Sequence, residues 1–136
     1  MALDYGRKRI GIAVSDPLKM FGSGLTTKGP HEIFSFLDEY FKKENVECLV
    51  LGYPLQLNDE PSESMELVKQ FETALRRKYP GMKIVYEDER YTSKMAVRAM
   101  IDAGMKKKER QKKENIDKMS AAIILQSYLG KLENIK

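Results

Sequence analysis

The sequence is poor in the residues that most often carry catalysis or redox chemistry. It has one cysteine, Cys48, one histidine, His31, and no tryptophan. A single cysteine cannot form a disulfide within the chain, so disulfide-stapled secreted classes are excluded. Cys48 lies in an apolar run and is predicted to be an inert core thiol in a reducing compartment. His31 falls in the first turn of a predicted helix and is predicted to lie on the surface.

Long apolar runs are also missing. No stretch approaches the roughly 20 residues needed to span a bilayer. Charged residues interrupt the start of the chain, which argues against a signal peptide. The G-x-G-x-x-G spacing of dinucleotide-binding proteins is absent. A chain of 136 residues with 42% hydrophobic and 32% charged residues predicts one domain, residues 1–136, in a cytoplasmic protein without a membrane segment.

The net charge of +4 is concentrated in one place. Residues 106–113 hold six basic residues and one acidic residue, which leaves 18 basic and 19 acidic residues in the rest of the chain. The basic ones are Lys106, Lys107, Lys108, Arg110, Lys112 and Lys113. We call residues 106–113 the basic segment. It suggests a polyanionic partner, although a solvated charged loop fits the same pattern.

Hydropathy patterns predict nine elements in the order β-β-β-α-β-α-β-α-α. Two short strands flank a turn at Gly6, and Pro30 is predicted at the first position of the first helix. Gly104 is predicted to end the third helix. Inward positions predicted for the last helix are Ile116, Met119, Ile123 and Tyr128. The predicted strands are residues 2–5, 9–15, 23–27, 46–51 and 83–87, and the helices begin near residues 30, 62, 92 and 114.

This order predicts an α/β fold with a mixed five-stranded sheet, in which the first three strands are antiparallel and helices cover both faces. The first strand is expected at the centre of the sheet. We expect the strand that precedes Glu89 to lie beside it, and the last helix to pack over the ends of both.

Three acidic residues are candidates for chemistry. Asp4 lies in an otherwise apolar strand, where a carboxylate is costly to bury unless it is paired or binds a metal. Glu89 follows the end of a later strand, where α/β folds usually bind ligands. Asp117 lies early in the last helix beside apolar residues. If the three meet, they predict an oxygen-rich site for Mg²⁺ or Mn²⁺, with two ions able to clamp a phosphodiester.

Other interpretations of these acids remain open. Asp4 could begin a turn, and Glu89 could form an ion pair with a nearby arginine. Asp117 could be an acid near a helix N-terminus, where the helix dipole stabilises negative charge. Near Glu89, Asp88 is a rival ligand. Glu87 is a weaker one, because residues 87 and 89 of a strand share a face.

Several motifs, taken in order, resemble the YqgF or RuvX family of Holliday junction resolvases and pre-16S rRNA nucleases. The resemblance covers nearly the whole chain. The motifs are Ala2-Leu3-Asp4-Tyr5-Gly6, Lys8-Arg9-Ile10-Gly11, Ala13-Val14-Ser15-Asp16, Gly52-Tyr53-Pro54-Leu55 with Asn58, Asp88-Glu89-Arg90 with Thr92-Ser93, and Ile116-Asp117 with Ala121-Ala122.

The resemblance implies an RNase H-like fold and a hydrolase acting on phosphodiester bonds, in 5′-end processing of pre-16S rRNA, in Holliday junction resolution, or in both. The family's acids match Asp4, Glu89 and Asp117, with Asp4 bridging two ions. Arg90 is expected to hold a phosphate or to anchor Glu89. The basic segment is expected to contact the nucleic-acid backbone. Possible groove-lining residues are Ser15, Asn58, Thr92 and Ser93, and Glu114 is a possible fourth ligand.

The chain departs from the family pattern in three places. Tyr53 and Tyr91 replace leucines, and either ring is expected to pack in the core or rim, or to stack on bases. The chain also begins closer to Asp4 than many members do, so either residues precede Met1 or the first strand is short. Expected partners are structured RNA or branched DNA and ribosomal precursor particles, with the protein acting as a monomer or weak homodimer.

Two other functions fit parts of the pattern. Asp4-Tyr5-Gly6 on a hairpin also resembles the phosphate loop of sugar kinases, although such proteins need two domains of this size. A non-catalytic ribosome-assembly factor would use the basic segment and keep the acids for folding. Substituting Asp4 with asparagine separates this alternative from a nuclease.

Overall fold

The computed structural model of the chain describes residues 1–16, 18, 21–53, 65–88 and 92–135, with the side chains of residues 94–132 in the last range. The elements are β1 (Ala2–Tyr5), β2 (Ile10–Ser15), β3 (Gly22–Lys28), α1 (Ile33–Lys43), β4 (Cys48–Tyr53), α2 (Met65–Lys78), β5 (Lys83–Asp88), α3 (Thr92–Asp102), α4 (Lys107–Arg110) and α5 (Lys113–Ile135). The order is the predicted one with one addition, the short helix α4 within the basic segment.

The five strands form one sheet in the order β3-β2-β1-β4-β5. Pairing is antiparallel from β1 to β2 and from β2 to β3, and parallel from β1 to β4 and from β4 to β5. The mixed sheet and the central position of β1 are confirmed. The expectation that the strand before Glu89 lies beside β1 is wrong, because the apolar strand β4 occupies that place, where both faces are covered.

One face of the sheet is covered by α1 and α2 and holds large apolar side chains. We call it the bulky face. The strands contribute Leu3, Ile10, Ile12, Leu49 and Leu51, and the helices contribute Ile33, Leu37, Phe71 and Leu75. Both helices therefore bury an apolar face against the sheet at these positions.

The opposite face is covered by α5, and its side chains are small. We call it the small-residue face. Its buried sheet residues are Ala2, Ala13 and Val50, and its helix residues are Ala121, Ala122, Ile124, Leu125 and Leu129. Of the four residues predicted to face inward on α5, Met119 and Tyr128 are half-buried and pack against this core. Ile116 and Ile123 are also half-buried, and the fully buried residues of the helix were not predicted. The helix packs on both the sheet and α3, so it carries no single apolar stripe.

Two helix ends differ in how well the sequence predicted them. Pro30 is not the first residue of α1. Residues 30–32 form a turn closed by a 3.0 Å hydrogen bond from the Glu32 amide to the Gly29 carbonyl oxygen, and the helix begins at Ile33. Gly104 follows α3 with a φ of 80°, so the predicted left-handed end of that helix is confirmed.

Candidate active site

Asp4 lies on the small-residue face. It pairs with Gly11 across β1 and β2, two residues along from the pair Ala2 and Ala13. Residues directly opposite in antiparallel strands point to the same face, and so do residues two apart in one strand. Because Ala2 and Ala13 pack against α5, the half-buried Asp4 side chain also points towards that helix.

Asp117 lies on the first turns of α5, directly over Gly11. A Cβ atom built on Gly11 would lie 2.6 Å from the carbonyl carbon of Asp117 and 3.2 Å from its Cβ. No side chain fits between strand and helix at this point. Since Asp4 is the strand partner of Gly11, Asp4 and Asp117 flank one glycine on one face of the sheet.

Glycines in β3 extend this close contact. A Cβ on Gly24 would lie 3.0 Å from the Cβ of Lys118, and one on Gly22 would lie 3.2 Å from the carbonyl oxygen of Ala122. Thr27 adds a 3.0 Å hydrogen bond from its hydroxyl to the carbonyl oxygen of Glu114. The glycines of β2 and β3 therefore set the height of α5 above the sheet, and with it the position of Asp117.

Arg9 is a site residue that sequence reasoning missed. It follows the turn between β1 and β2, and its Nε donates a 2.6 Å hydrogen bond to Oδ2 of Asp117, 108 residues away. Both side chains are partly exposed, at 31% and 24%. A charge-assisted bond of this kind fixes the rotamer of the carboxylate. Its sequence signal was its place in the motif Lys8-Arg9-Ile10-Gly11, two positions before Gly11.

Glu89 and Arg90 lie outside the described residues, as does Asn58. The described part of this region ends with β5, at Asp88. Glu87 faces α5 and is almost fully buried. Its Oε1 forms an ion pair with Nζ of Lys131 at 2.6 Å and accepts a 3.1 Å hydrogen bond from the Ser127 hydroxyl. The weaker alternative ligand is thus engaged in holding α5 to the edge strand.

The basic segment contains the helix α4 and is mostly exposed. Arg110 is half-buried and its Nε donates to the carbonyl oxygen of Met105, while Lys112 pairs with Glu109 at 3.1 Å. The other four basic residues are exposed. The segment runs directly into α5, so its last residue lies one helical turn before Asp117.

Other candidate residues lie elsewhere or are not described. Ser15 is at the opposite end of β2 from Gly11, roughly 13 Å along the strand, and is not beside Asp4. Tyr53 packs edge-on against Tyr86, with ring centroids 5.2 Å apart. It lies next to Gly52 in β4 and so points to the bulky face, away from Asp4. The side chains of Thr92 and Ser93 are outside the described residues.

A divalent metal ion would find two carboxylates here, from Asp4 and Asp117. Within the described ranges no group of three histidine, cysteine, aspartate or glutamate side chains forms a metal site. The predicted third ligand, Glu89, is outside those ranges. Carboxylate oxygens are the ligands that Mg²⁺ and Mn²⁺ prefer, so the donor chemistry present fits such an ion.

Comparison with known proteins places this arrangement in a family. Across the described residues, no helix is both long and apolar enough to cross a membrane. The family model described as "RuvX: Holliday junction resolvase" matches residues 1–131. A Bacteroides fragilis protein named "Putative pre-16S rRNA nuclease" is 50% identical over 129 residues, covering 95% of this chain and 94% of its own.

Relatives with the same name come from other bacteria. The Amoebophilus asiaticus protein is 48% identical over 130 residues, covering 96% of this chain and 92% of its own. The Flavobacterium johnsoniae protein is also 48% identical over 130 residues, covering 96% and 94%. The strand order of the sheet is consistent with the RNase H-like fold that the motifs implied. On these matches, the chain belongs to the RuvX family of Holliday junction resolvases.

Proposed function

We propose that this member of the nuclease family hydrolyses phosphodiester bonds in structured nucleic acid with the help of divalent metal ions. The observation that carries the proposal is the placement of Asp4 and Asp117 around Gly11 on the central strands. A scissile phosphate needs negative charge neutralised at both its attacking and leaving oxygens, and carboxylates grouped at one strand end are suited to hold the cations that do this.

The proposed ligands are Asp4, Glu89 and Asp117, holding Mg²⁺ or Mn²⁺, with two ions as the favoured number. When bound, such ions polarise the phosphoryl oxygens and lower the pKa of a bound water molecule. The chain's own contribution is orientation. Arg9 holds one oxygen of Asp117, and the contact at Gly11 fixes the helix that carries it. Partner groups of this kind typically tune a metal ligand.

For the substrate, we propose the 5′ end of precursor 16S rRNA, with branched DNA junctions as the second substrate class. The names of the relatives support the RNA, and the family description supports the junction. Arg90 and the basic residues of residues 106–113 would contact the sugar–phosphate backbone, which makes binding salt-dependent and nearly blind to sequence. Such a substrate implies a cytoplasmic protein that meets ribosomal precursor particles. We propose that it acts there as one domain, in a monomer or weak homodimer.

Asp4→Asn tests the proposal. The variant is expected to fold normally, to bind nucleic acid at least as well as the native protein, and to lose Mg²⁺-dependent cleavage by roughly a thousandfold, which corresponds to several kcal/mol of the activation barrier. The assay is a cleavage panel of precursor RNA, a four-way DNA junction, duplex and single strand, with Mg²⁺, Mn²⁺ or chelator. Unchanged cleavage would remove Asp4 from the mechanism.

A second candidate is a non-catalytic ribosome-assembly factor. The ion pair between Arg9 and Asp117 favours it, because acids kept for folding would be paired in this way. The same panel decides between the two. Absence of cleavage by the native protein on every substrate, with binding to precursor RNA retained, would favour the assembly factor.

A further inference from the structure

The turn between β1 and β2 carries three consecutive basic residues, Arg7, Lys8 and Arg9, and we call it the cationic turn. It lies at the end of β1 that holds Asp4. The turn is tight, because a Cβ on Gly6 would lie 2.8 Å from the carbonyl oxygen of Arg9. The backbone bends at Arg7 and Lys8. The cationic turn is therefore held in place at both ends, by β1 and by β2.

The three cations of the turn have different surroundings. Arg9 is half-buried and paired with Asp117. Arg7 and Lys8 are exposed, and in the part of the chain that the structure describes neither makes an ion pair. Arg9 thus ties the turn to α5. Because Arg7 and Lys8 directly precede Arg9, this contact also holds them near Asp117.

Electrostatics gives these exposed charges a reason to be there. A nucleic acid that approaches Asp4 and Asp117 brings phosphates towards carboxylates, and like charges at a few ångströms repel each other. Cations within a Debye length of about 10 Å offset this repulsion and attract the polyanion. The basic segment supplies such charge from the first turn of α5, since Lys113 lies one helical turn before Asp117. The cationic turn supplies it from the sheet side.

We propose that Arg7 and Lys8 bind the sugar–phosphate backbone of the nucleic-acid substrate beside the acids, as a second contact element separate from the basic segment. The contact rests on the proposed function for its substrate class. Both side chains are flexible and exposed, so they would position the backbone and would not read bases.

Binding without cleavage tests this proposal independently of catalysis. The measurement is fluorescence anisotropy in EDTA, with a labelled four-way DNA junction and a labelled RNA stem–loop, over a range of KCl concentrations. The test variant is Arg7→Gln with Lys8→Gln. The matched control is Lys43→Gln with Lys69→Gln, which removes the same charge from exposed positions on α1 and α2. Circular dichroism and thermal melting check that both variants are folded.

Loss of two phosphate contacts should reduce the slope of log affinity against log salt by about 1.4 to 1.8, at roughly 0.7 per contact for single strands and 0.9 for duplex DNA. Both probes should show the reduction, and the control should keep the native slope. An unchanged slope in the Arg7 and Lys8 variant overturns the proposal, and so does an equal reduction in the control. If the native protein binds in this way but cleaves nothing, the proposed function fails while the contact stands.

Discussion

The two faces of the sheet are built from different kinds of residue. The bulky face buries branched and aromatic side chains of β1, β2 and β4 beneath α1 and α2. The small-residue face presents alanines and glycines to α5, and its acidic residues include Asp4, Glu87 and Asp117. Apolar area removed from water stabilises a fold in proportion to its size. The bulky face therefore supplies most of the apolar stabilisation, whereas the close contacts of the small-residue face fix the position of α5.

This difference shows how one sheet separates stability from chemistry. Neighbouring residues of β1 point to opposite faces, so Leu3 belongs to the core and Asp4 to the candidate site. A helix that must place a carboxylate against a strand cannot tolerate large side chains beneath it. The glycines at positions 11, 22 and 24 allow that approach. Because a glycine has no side chain, each of them makes fewer apolar contacts than the large residues of the bulky face.

The pair Leu3 and Asp4 gives the largest expected contrast. Leu3→Ala opens a cavity in the bulky face and should lower the free energy of unfolding by roughly 2–5 kcal/mol. At a temperature where the variant is still folded, it should retain most of its cleavage activity. Asp4→Asn should do the opposite, with cleavage reduced roughly a thousandfold and stability little changed. Urea unfolding and cleavage rates measured on both variants test the separation, which fails if both properties change together.

Gly11→Ala tests the small-residue face through its backbone. The added methyl group overlaps the Asp117 carbonyl group, so α5 must shift, and overpacking of this kind costs roughly 1–3 kcal/mol. A displacement of about 1 Å in a catalytic group can reduce the rate about a hundredfold. Gly130→Ala is the control within α5, where nothing lies within 4 Å of a new Cβ and stability should rise by about 1 kcal/mol. A Gly11→Ala protein with native stability and activity would contradict the close contact.

Arg9→Gln tests whether the ion pair with Asp117 serves the site. Cleavage should fall roughly 10- to 100-fold, as for other groups that orient a metal ligand. The Mg²⁺ concentration for half-maximal rate should change too, which a purely structural role would not produce. Arg77→Gln removes an exposed arginine from α2 and serves as the control. If Arg9→Gln lowers stability but leaves both the rate and the Mg²⁺ dependence native, Arg9 is a structural residue only.

Much of the fold could be predicted from the sequence because its signals are local. All five strands were predicted near their observed positions, four of them on apolar runs, and Gly104 marked the end of α3. The position of β4 between β1 and β5 was not predicted, since strand order depends on which surfaces need cover on both faces. The inward face of α5 was predicted only in part, at Met119 and Tyr128, because a helix that packs on two neighbours shows no single period.

The candidate site shows a similar division. A carboxylate in an apolar strand identified Asp4 as unusual. The pairing of Arg9 with Asp117 joins positions 108 residues apart, and no local pattern indicates such a contact. The set of ligands involving Glu89 stays a prediction, since that residue lies outside the described part of the chain.

The smallest expected effect is a pH dependence of stability that arises from two residues on the bulky face. Tyr86 donates a hydrogen bond to Glu72 on α2. Burial opposes the ionisation of Glu72, but hydrogen bonds from Tyr86 and Arg76 outweigh it and lower the pKa of its carboxyl below 4.5. Burial, then the bond to Glu72, raises the pKa of the Tyr86 hydroxyl above 10.0.

The signs of these shifts give the expected profile. A lowered carboxyl pKa stabilises the fold above its unfolded value, and that stability is lost as pH falls through the folded value. A raised hydroxyl pKa stabilises below pH 10 and is lost as pH rises further. Tyr86→Phe should therefore cost about 1 kcal/mol at pH 7. The difference from the native protein should shrink as pH falls from 4.5 through the lowered pKa of Glu72, because the carboxyl is then protonated in the folded state too. Urea unfolding at pH 3 and pH 7 measures it, and a pH-independent difference would contradict the assignment. Cleavage at pH 7 should stay native, because Tyr86 lies on the face away from Asp4.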